Sequence, residues 1–177
     1  MLRAARARRI AAATAFGGGG LTLVGGGTVA LLHLQVRLAR NAIGRTRWDR
    51  PQTDGVHGRG EGPPLHMLMA GDSTAAGFAV EEAHQTPGVM LARGLSAAAE
   101  RPVRLRCTAV PGASSASQEQ QLERAGVRDG HSPYDVAVVF IGANDVIRRV
   151  SPNEAVSHLR SATGTLVGAG TLSLIHI

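Results

Sequence analysis

Leu65-His66-Met67-Leu68-Met69-Ala70-Gly71-Asp72-Ser73-Thr74 is a short, mostly apolar run that ends on a glycine and turns polar. An apolar run of this length, closed by Gly71, suits a buried strand rather than a helix. The pattern recurs further along the chain. Val103–Val110 alternates apolar residues with Arg and Thr, as a strand nearer a sheet edge does. Val136–Ile141 (VAVVFI) is continuously apolar, the mark of a parallel strand covered on both faces. Between and after these runs lie three helical stretches. Pro87 to about Ala99 carries proline in its first turn. Ser117 to Ala125 is polar and exposed on one face, and Pro152 to about Val167 has Ser151 as its N-cap.

Strand, helix, strand, helix, strand means a parallel sheet with right-handed crossovers, an α/β fold. In the flavodoxin-like strand order 2-1-3-4-5 the first strand lies between the second and third. Ligands then sit outside the carboxyl ends of the strands, at the switch point. Three loops are therefore expected to meet: Gly71-Asp72-Ser73-Thr74, Pro111-Gly112-Ala113-Ser114 and Gly142-Ala143-Asn144-Asp145.

These loops carry the groups that acyl transfer to serine needs: an exposed hydroxyl and donors for the developing oxyanion. Ser73 follows the first strand, where a tight glycine-bearing turn projects it. Gly112 lets a backbone N–H approach a reacting carbonyl unobstructed, and the Asn144 carboxamide is a second neutral donor. The N–H of Ser73 is a third. Each residue has a plainer reading: Ser73 and Thr74 as caps, Gly112 as a turn, Asn144 and Asp145 as caps of the helix behind them. The coincidence of three such loops, each after its own strand, favours the chemical reading. The Gly-x-Ser-x-Gly elbow of α/β-hydrolases is absent.

Gly71-Asp72-Ser73 followed by Thr74-Ala75-Ala76-Gly77 resembles block I of the SGNH (GDSL-type) hydrolases. Gly112 within Val110-Pro111-Gly112-Ala113-Ser114-Ser115 resembles block II, and Gly142-Ala143-Asn144-Asp145 matches block III, Gly-x-Asn-Asp. The resemblance runs from about Leu65 to Leu166. It implies a three-layer α/β/α flavodoxin-like fold, incomplete here, with Ser73 as nucleophile and Gly112 and Asn144 completing the oxyanion hole. One departure is Val110, where the family often has Asn two residues before the block II glycine.

The family's base is a histidine in a late Asp-x-x-His block, and none follows Asn144. Asp54-Gly55-Val56-His57 matches that spacing but precedes the nucleophile, and is read as coincidence. His84 and His131 are expected in surface loops and His158 on the third helix, none with an orienting carboxylate partner. Scattered histidines without ligand spacing suggest no metal, and no cofactor is expected. With strands four and five absent, Val136–Ile141 is expected to be left as a sheet edge. The ending Leu172-Ser173-Leu174-Ile175-His176-Ile177 matches a translated frame of a sequencing-library adapter, so 172–177 is expected to be an artefactual tail and the catalytic His and Asp to be missing.

The amino-terminal part reads differently. Arg3, Arg6, Arg8 and Arg9 precede a stretch from Ile10 to Val36 with no charged residue except a protonatable His33. It exceeds the ~20 apolar residues a spanning helix needs and the ~7–15 of a signal-peptide core. Seven glycines fall between Gly17 and Gly27, a density membrane helices tolerate. A transmembrane anchor is expected over residues 10–36, after a basic stretch 1–9 and before a linker 37–64. The domain proper then spans 65–171. Arginines flank both ends of the anchor, so the positive-inside rule has little asymmetry to act on. An extracytoplasmic catalytic domain is nonetheless the expectation.

All 19 basic residues are Arg, and the net charge is +6. Residues 1–60 hold ten Arg against Asp49 and Asp54, while residues 61–177 hold nine Arg against eleven acids. The basic charge thus flanks the anchor and the domain is slightly acidic, which argues against a nucleic-acid partner. Cys107 is alone, which excludes an internal disulfide, and is expected to be a small buried strand residue. The leading expectation is a membrane-anchored carboxylic-ester hydrolase acting on small esters or acylated substrates. The rivals are a non-catalytic SGNH-like domain binding acyl or glycan groups at the cell surface, and a nucleotide or phosphate binder using Gly71–Thr74 as an anion nest.

Overall fold

A computed structural model describes residues 26–39, 41, 49–128, 131–171 and 173–176, the last four as backbone only. The chain divides into two compact units, Met1–Arg47 and Trp48–Ile177. In the first, residues 26–39 form a helix, α1, whose apolar side chains are exposed, Leu38 at 59% and Val29 at 55%. Among the described residues no helix is long and apolar enough to cross a membrane. The expected span 10–36 is therefore not met by α1, and residues 10–25 lie outside the described residues.

The second unit is a five-stranded sheet with helices on both faces. Its strands are β1 (Gly55–His57), β2 (Leu65–Gly71), β3 (Val103–Cys107), β4 (Val136–Phe140) and β5 (Ser173–His176), in the order β1-β3-β2-β4-β5. β2 pairs parallel with both β3 and β4, so the first long strand is central, as the flavodoxin-like order requires. Side chains alternate across β2. Met67 and Met69 join Val103, Leu105, Val138, Val89 and Ala92 on the face covered by α2 (Pro87–Ala99). Leu68 joins Ala137, Val139, Leu122, Ala162 and Leu166 on the face covered by α3 (Gln118–Arg124) and α5 (Pro152–Gly168).

Local chemistry sets the helix bounds. Thr86 caps α2 by accepting from Val89 N, and Pro87 occupies the first turn. Ser151 caps α5 by accepting from Glu154 N at 3.2 Å. α5 ends in a Schellman motif: Gly170, at φ 90°, donates to Val167 O and Thr171 N donates to Leu166 O. That reversal delivers the chain back to the sheet.

Two expectations need correcting. The sheet is mixed, because Gly55–His57, inside the stretch read as linker, pairs antiparallel with Val103–Leu105. Asp54 anchors this edge: its carboxylate accepts from Cys107 N at 2.8 Å and pairs with Arg106 at 2.7 Å. Arg50 adds bonds to Cys107 O and Ala109 O. Nor is β4 left as an edge, since β5 pairs with it in parallel from Val136↔Ser173 to Val139↔His176. The unpaired N–H and C=O groups of an apolar strand are costly to leave bare, and the segment returning from α5 lies within reach of them.

Candidate active site

The loop after β2 is built on a glycine whose place a side chain would strain. Gly71 has φ 147°, and a Cβ there would run into Phe140 O and lie 2.8 Å from Ala75 Cβ. Asp72, buried at 2% exposure, accepts from Thr74 N through Oδ1 at 2.9 Å. Its carbonyl accepts from Ala76 N, and the Ser73 carbonyl accepts from Phe78 N at 2.8 Å. The chain thus winds through a compact turn that holds Ser73 half-buried beside an exposed Thr74. Gly77 closes the turn at φ 72°, where a Cβ would press on Thr86. A cleft of about 270 Å³ opens here, lined by Ser73, Thr74, Gly77, Phe78, Val80, Gln85 and Pro87.

Loops two and three are fastened to this turn and to each other. Gly71 O accepts from Val110 N at 3.0 Å, and Asp72 N donates to Phe140 O at 3.1 Å. Gly112, exposed and at φ 80°, accepts at its carbonyl from Arg148 Nη2 at 2.7 Å. The Asn144 carboxamide donates through Nδ2 to Ala113 O at 2.9 Å, which fixes its amide plane and commits one of its two N–H groups. Asp145, 5% exposed, takes Ser115 N on both carboxylate oxygens, at 3.1 and 3.0 Å, and Ser115 Oγ at 2.9 Å. Asn144 and Asp145 lie on a short helix, α4 (Ala143–Ile147), that sequence reading did not separate out. Ser73, Gly112 and Asn144 therefore stand on three adjoining loops at the carboxyl ends of neighbouring parallel strands, with hydrogen bonds joining each loop to the next.

Sequence reasoning missed one buried contributor. Gln121 of α3, 1% exposed, accepts from Gly71 N at 2.8 Å and donates to Gly71 O at 2.9 Å. A signal was present: Gln118, Gln121, Leu122 and Ala125 recur at helical spacing, which puts both glutamines on the core-facing stripe.

The histidines divide as follows. His84 has a carboxylate partner after all, Glu82 Oε2 at 2.9 Å from Nδ1, in a 3-10 turn (Ala83–Gln85) beside the residues lining the cleft. The two are only two residues apart and both exposed, so local proximity suffices to explain the pair. His57 bonds Thr53 O through Nε2 and Asp54 is committed to Arg106 and Cys107, so Asp54–His57 serves the edge strand. His131 is exposed in a bridge with Arg128, and His158 lies on α5. Cys107 is buried, and desolvation pushes its thiol pKa up despite the opposing charge of Arg50. Among the described residues no group of three His, Cys, Asp or Glu side chains is placed to hold a metal ion.

Residues 69–172 match the GDSL-like Lipase/Acylhydrolase family, a span that takes in all three loops. The GDSL-like esterase Rv1075c of Mycobacterium tuberculosis (strain ATCC 25618 / H37Rv) is 34% identical over 158 residues, covering 80% of this chain and 49% of that protein. The chain thus spans about half the length of this curated relative. Among solved structures, AlinE4, an SGNH-hydrolase family esterase, matches with a TM-score of 0.54 at 25% identity, over 65% of this chain and 59% of that one. A mutant of the same esterase matches with a TM-score of 0.50 at 26% identity, over 60% and 55% of the two chains.

Proposed function

Because the chain belongs to the GDSL-like lipase/acylhydrolase family, we propose that it contributes the nucleophile and oxyanion hole of a carboxylic-ester hydrolase. Ser73 Oγ attacks the ester carbonyl, and its proton passes to a histidine base. The negative charge that develops on the carbonyl oxygen is held by Ser73 N–H, Gly112 N–H and the second N–H of Asn144. Collapse of the tetrahedral intermediate breaks the ester C–O bond and expels the alcohol, which takes the proton from the histidine. Water then attacks the acyl-serine by the same route and releases the acid. No Asp-x-x-His block, the family's source of that histidine and its orienting aspartate, follows Asn144 in these 177 residues. The observation that carries this reading is the hydrogen-bonded juncture of the three loops, with Asn144 held by Ala113 O and Gly71 fixed between Val110, β4 and α3.

The test is hydrolysis of short-chain p-nitrophenyl esters and labelling by a fluorophosphonate, both on the full-length gene product. Ser73→Ala should abolish labelling and turnover, and Asn144→Ala should lower turnover by roughly two to three powers of ten. Undiminished labelling of Ser73→Ala would overturn the assignment.

We also propose that the basic, apolar amino-terminal segment holds the protein at a membrane, with the catalytic domain extracytoplasmic. The exposed Val29, Leu31, Leu32, Leu34 and Val36 of α1 support this reading. Carbonate extraction of membranes should leave the protein in the pellet, and its release would count against the anchor.

A further inference from the structure

We propose that Gln121 is a positioning residue for the nucleophile, acting through the Gly71 peptide. The inference rests on the reading of Ser73 given above. Three observations carry it. The carboxamide of Gln121 presents the donor and acceptor pair of a peptide group, and it engages Gly71 on both sides, accepting from N at 2.8 Å and donating to O at 2.9 Å. Both partners are buried, with Gln121 at 1% exposure, so water cannot substitute for the side chain. Gly71 stands two residues before Ser73, in a backbone conformation, φ 147°, that is soft unless its neighbours fix it.

The geometry explains why a side chain is used here at all. Beyond the last ladder pair of β2 and β3, Met69↔Cys107, the strands part as their loops begin. Val110 N still reaches Gly71 O. Gly71 N is met by Gln121 instead of by a strand. The clamp prolongs strand-like order to the residue from which the Asp72–Ser73 turn departs, and it ties that turn to α3. Without it the Gly71 N–H has no acceptor and the peptide is held only by Val110 N on Gly71 O and Phe140 O on Asp72 N, which lets the Ser73 hydroxyl and N–H shift relative to Gly112 and Asn144.

The experiment measures fluorophosphonate inactivation of the full-length protein, separating reagent binding from the inactivation rate constant, together with kcat and KM for a p-nitrophenyl ester. Gln121→Leu gives an apolar side chain of comparable size and leaves Gly71 N–H without an acceptor. It should lower the rate constant and kcat on the order of tenfold to a hundredfold, with reagent binding and KM within about twofold. Gln121→Glu keeps an acceptor oxygen and should recover part of the loss. Leu122→Ala, in the same helix but without a bond to Gly71, gives the effect of loosening α3 alone. At matched loss of melting temperature, a Leu122→Ala rate constant as low as that of Gln121→Leu would overturn the proposal. So would a wild-type rate constant in Gln121→Leu. If the wild-type protein is not labelled at Ser73, the nucleophile reading itself fails, an outcome separate from either of these.

Discussion

Removing the Asp145 carboxylate should loosen the juncture of loops two and three, and the size of the effect follows from its bonds. Asp145 is 5% exposed and takes both the N–H and the hydroxyl of Ser115, itself 1% exposed. A hydrogen bond to a charged group contributes about 1.5–3 kcal/mol net, so two donors give about 3–6 kcal/mol. Against this stands the desolvation of a buried carboxylate, which Asp145→Ala relieves. What remains is an orphaned Ser115 N–H and a small void, for a loss of about 2–4 kcal/mol. For a unit of about 130 residues, Trp48–Ile177, that corresponds to a fall in Tm of roughly 8–15 °C. Asp145→Asn retains one acceptor oxygen and should lose about half as much. Thermal unfolding followed by circular dichroism measures both, and a double-mutant cycle with Ser115→Ala should return a coupling above about 1 kcal/mol. A Tm for Asp145→Ala within about 2 °C of wild type would refute the reasoning, since the bonds would then be structurally idle.

Three further outcomes are expected. Gly71→Ala places a Cβ against Phe140 O and should cost upward of about 3 kcal/mol in urea unfolding, whereas Gly142→Ala, at φ 137° with open space around it, should cost only its backbone strain of about 1–3 kcal/mol; equal effects would show that the Phe140 contact is relieved cheaply. Cys107 should resist a thiol reagent in the native protein and react on unfolding, because desolvation raises its pKa. As pH rises above the ordinary thiol value of about 8.5, the unfolded thiol ionises first and stability should fall, a fall that Cys107→Ala removes.

Much of the fold was legible because its signals are local. The apolar run before Gly71 and the VAVVF of β4 announce buried strands, and their alternation with helices sets β2, β3 and β4 parallel. Pro87 behind Thr86 and Pro152 behind Ser151 announce helix starts through bonds spanning three residues. β1 was not legible. Three residues with no apolar pattern become a strand only because Asp54 and Arg50 find Cys107, Arg106 and Ala109 more than fifty residues away.

The site divides along the same line. Ser73, Gly112 and Asn144 were picked out from the sequence by itself, each as a residue type that the proposed acyl transfer needs and each following its own strand, where parallel topology puts ligand-facing loops. Only the tertiary structure decided what holds them: Gln121 on Gly71 across fifty residues, Asp145 on Ser115 across thirty, and Arg148 on Gly112 across thirty-six. A hydrogen bond depends on the relative position of two groups to a fraction of an ångström. A sequence names the donors and acceptors, and only the packed chain brings each pair within reach.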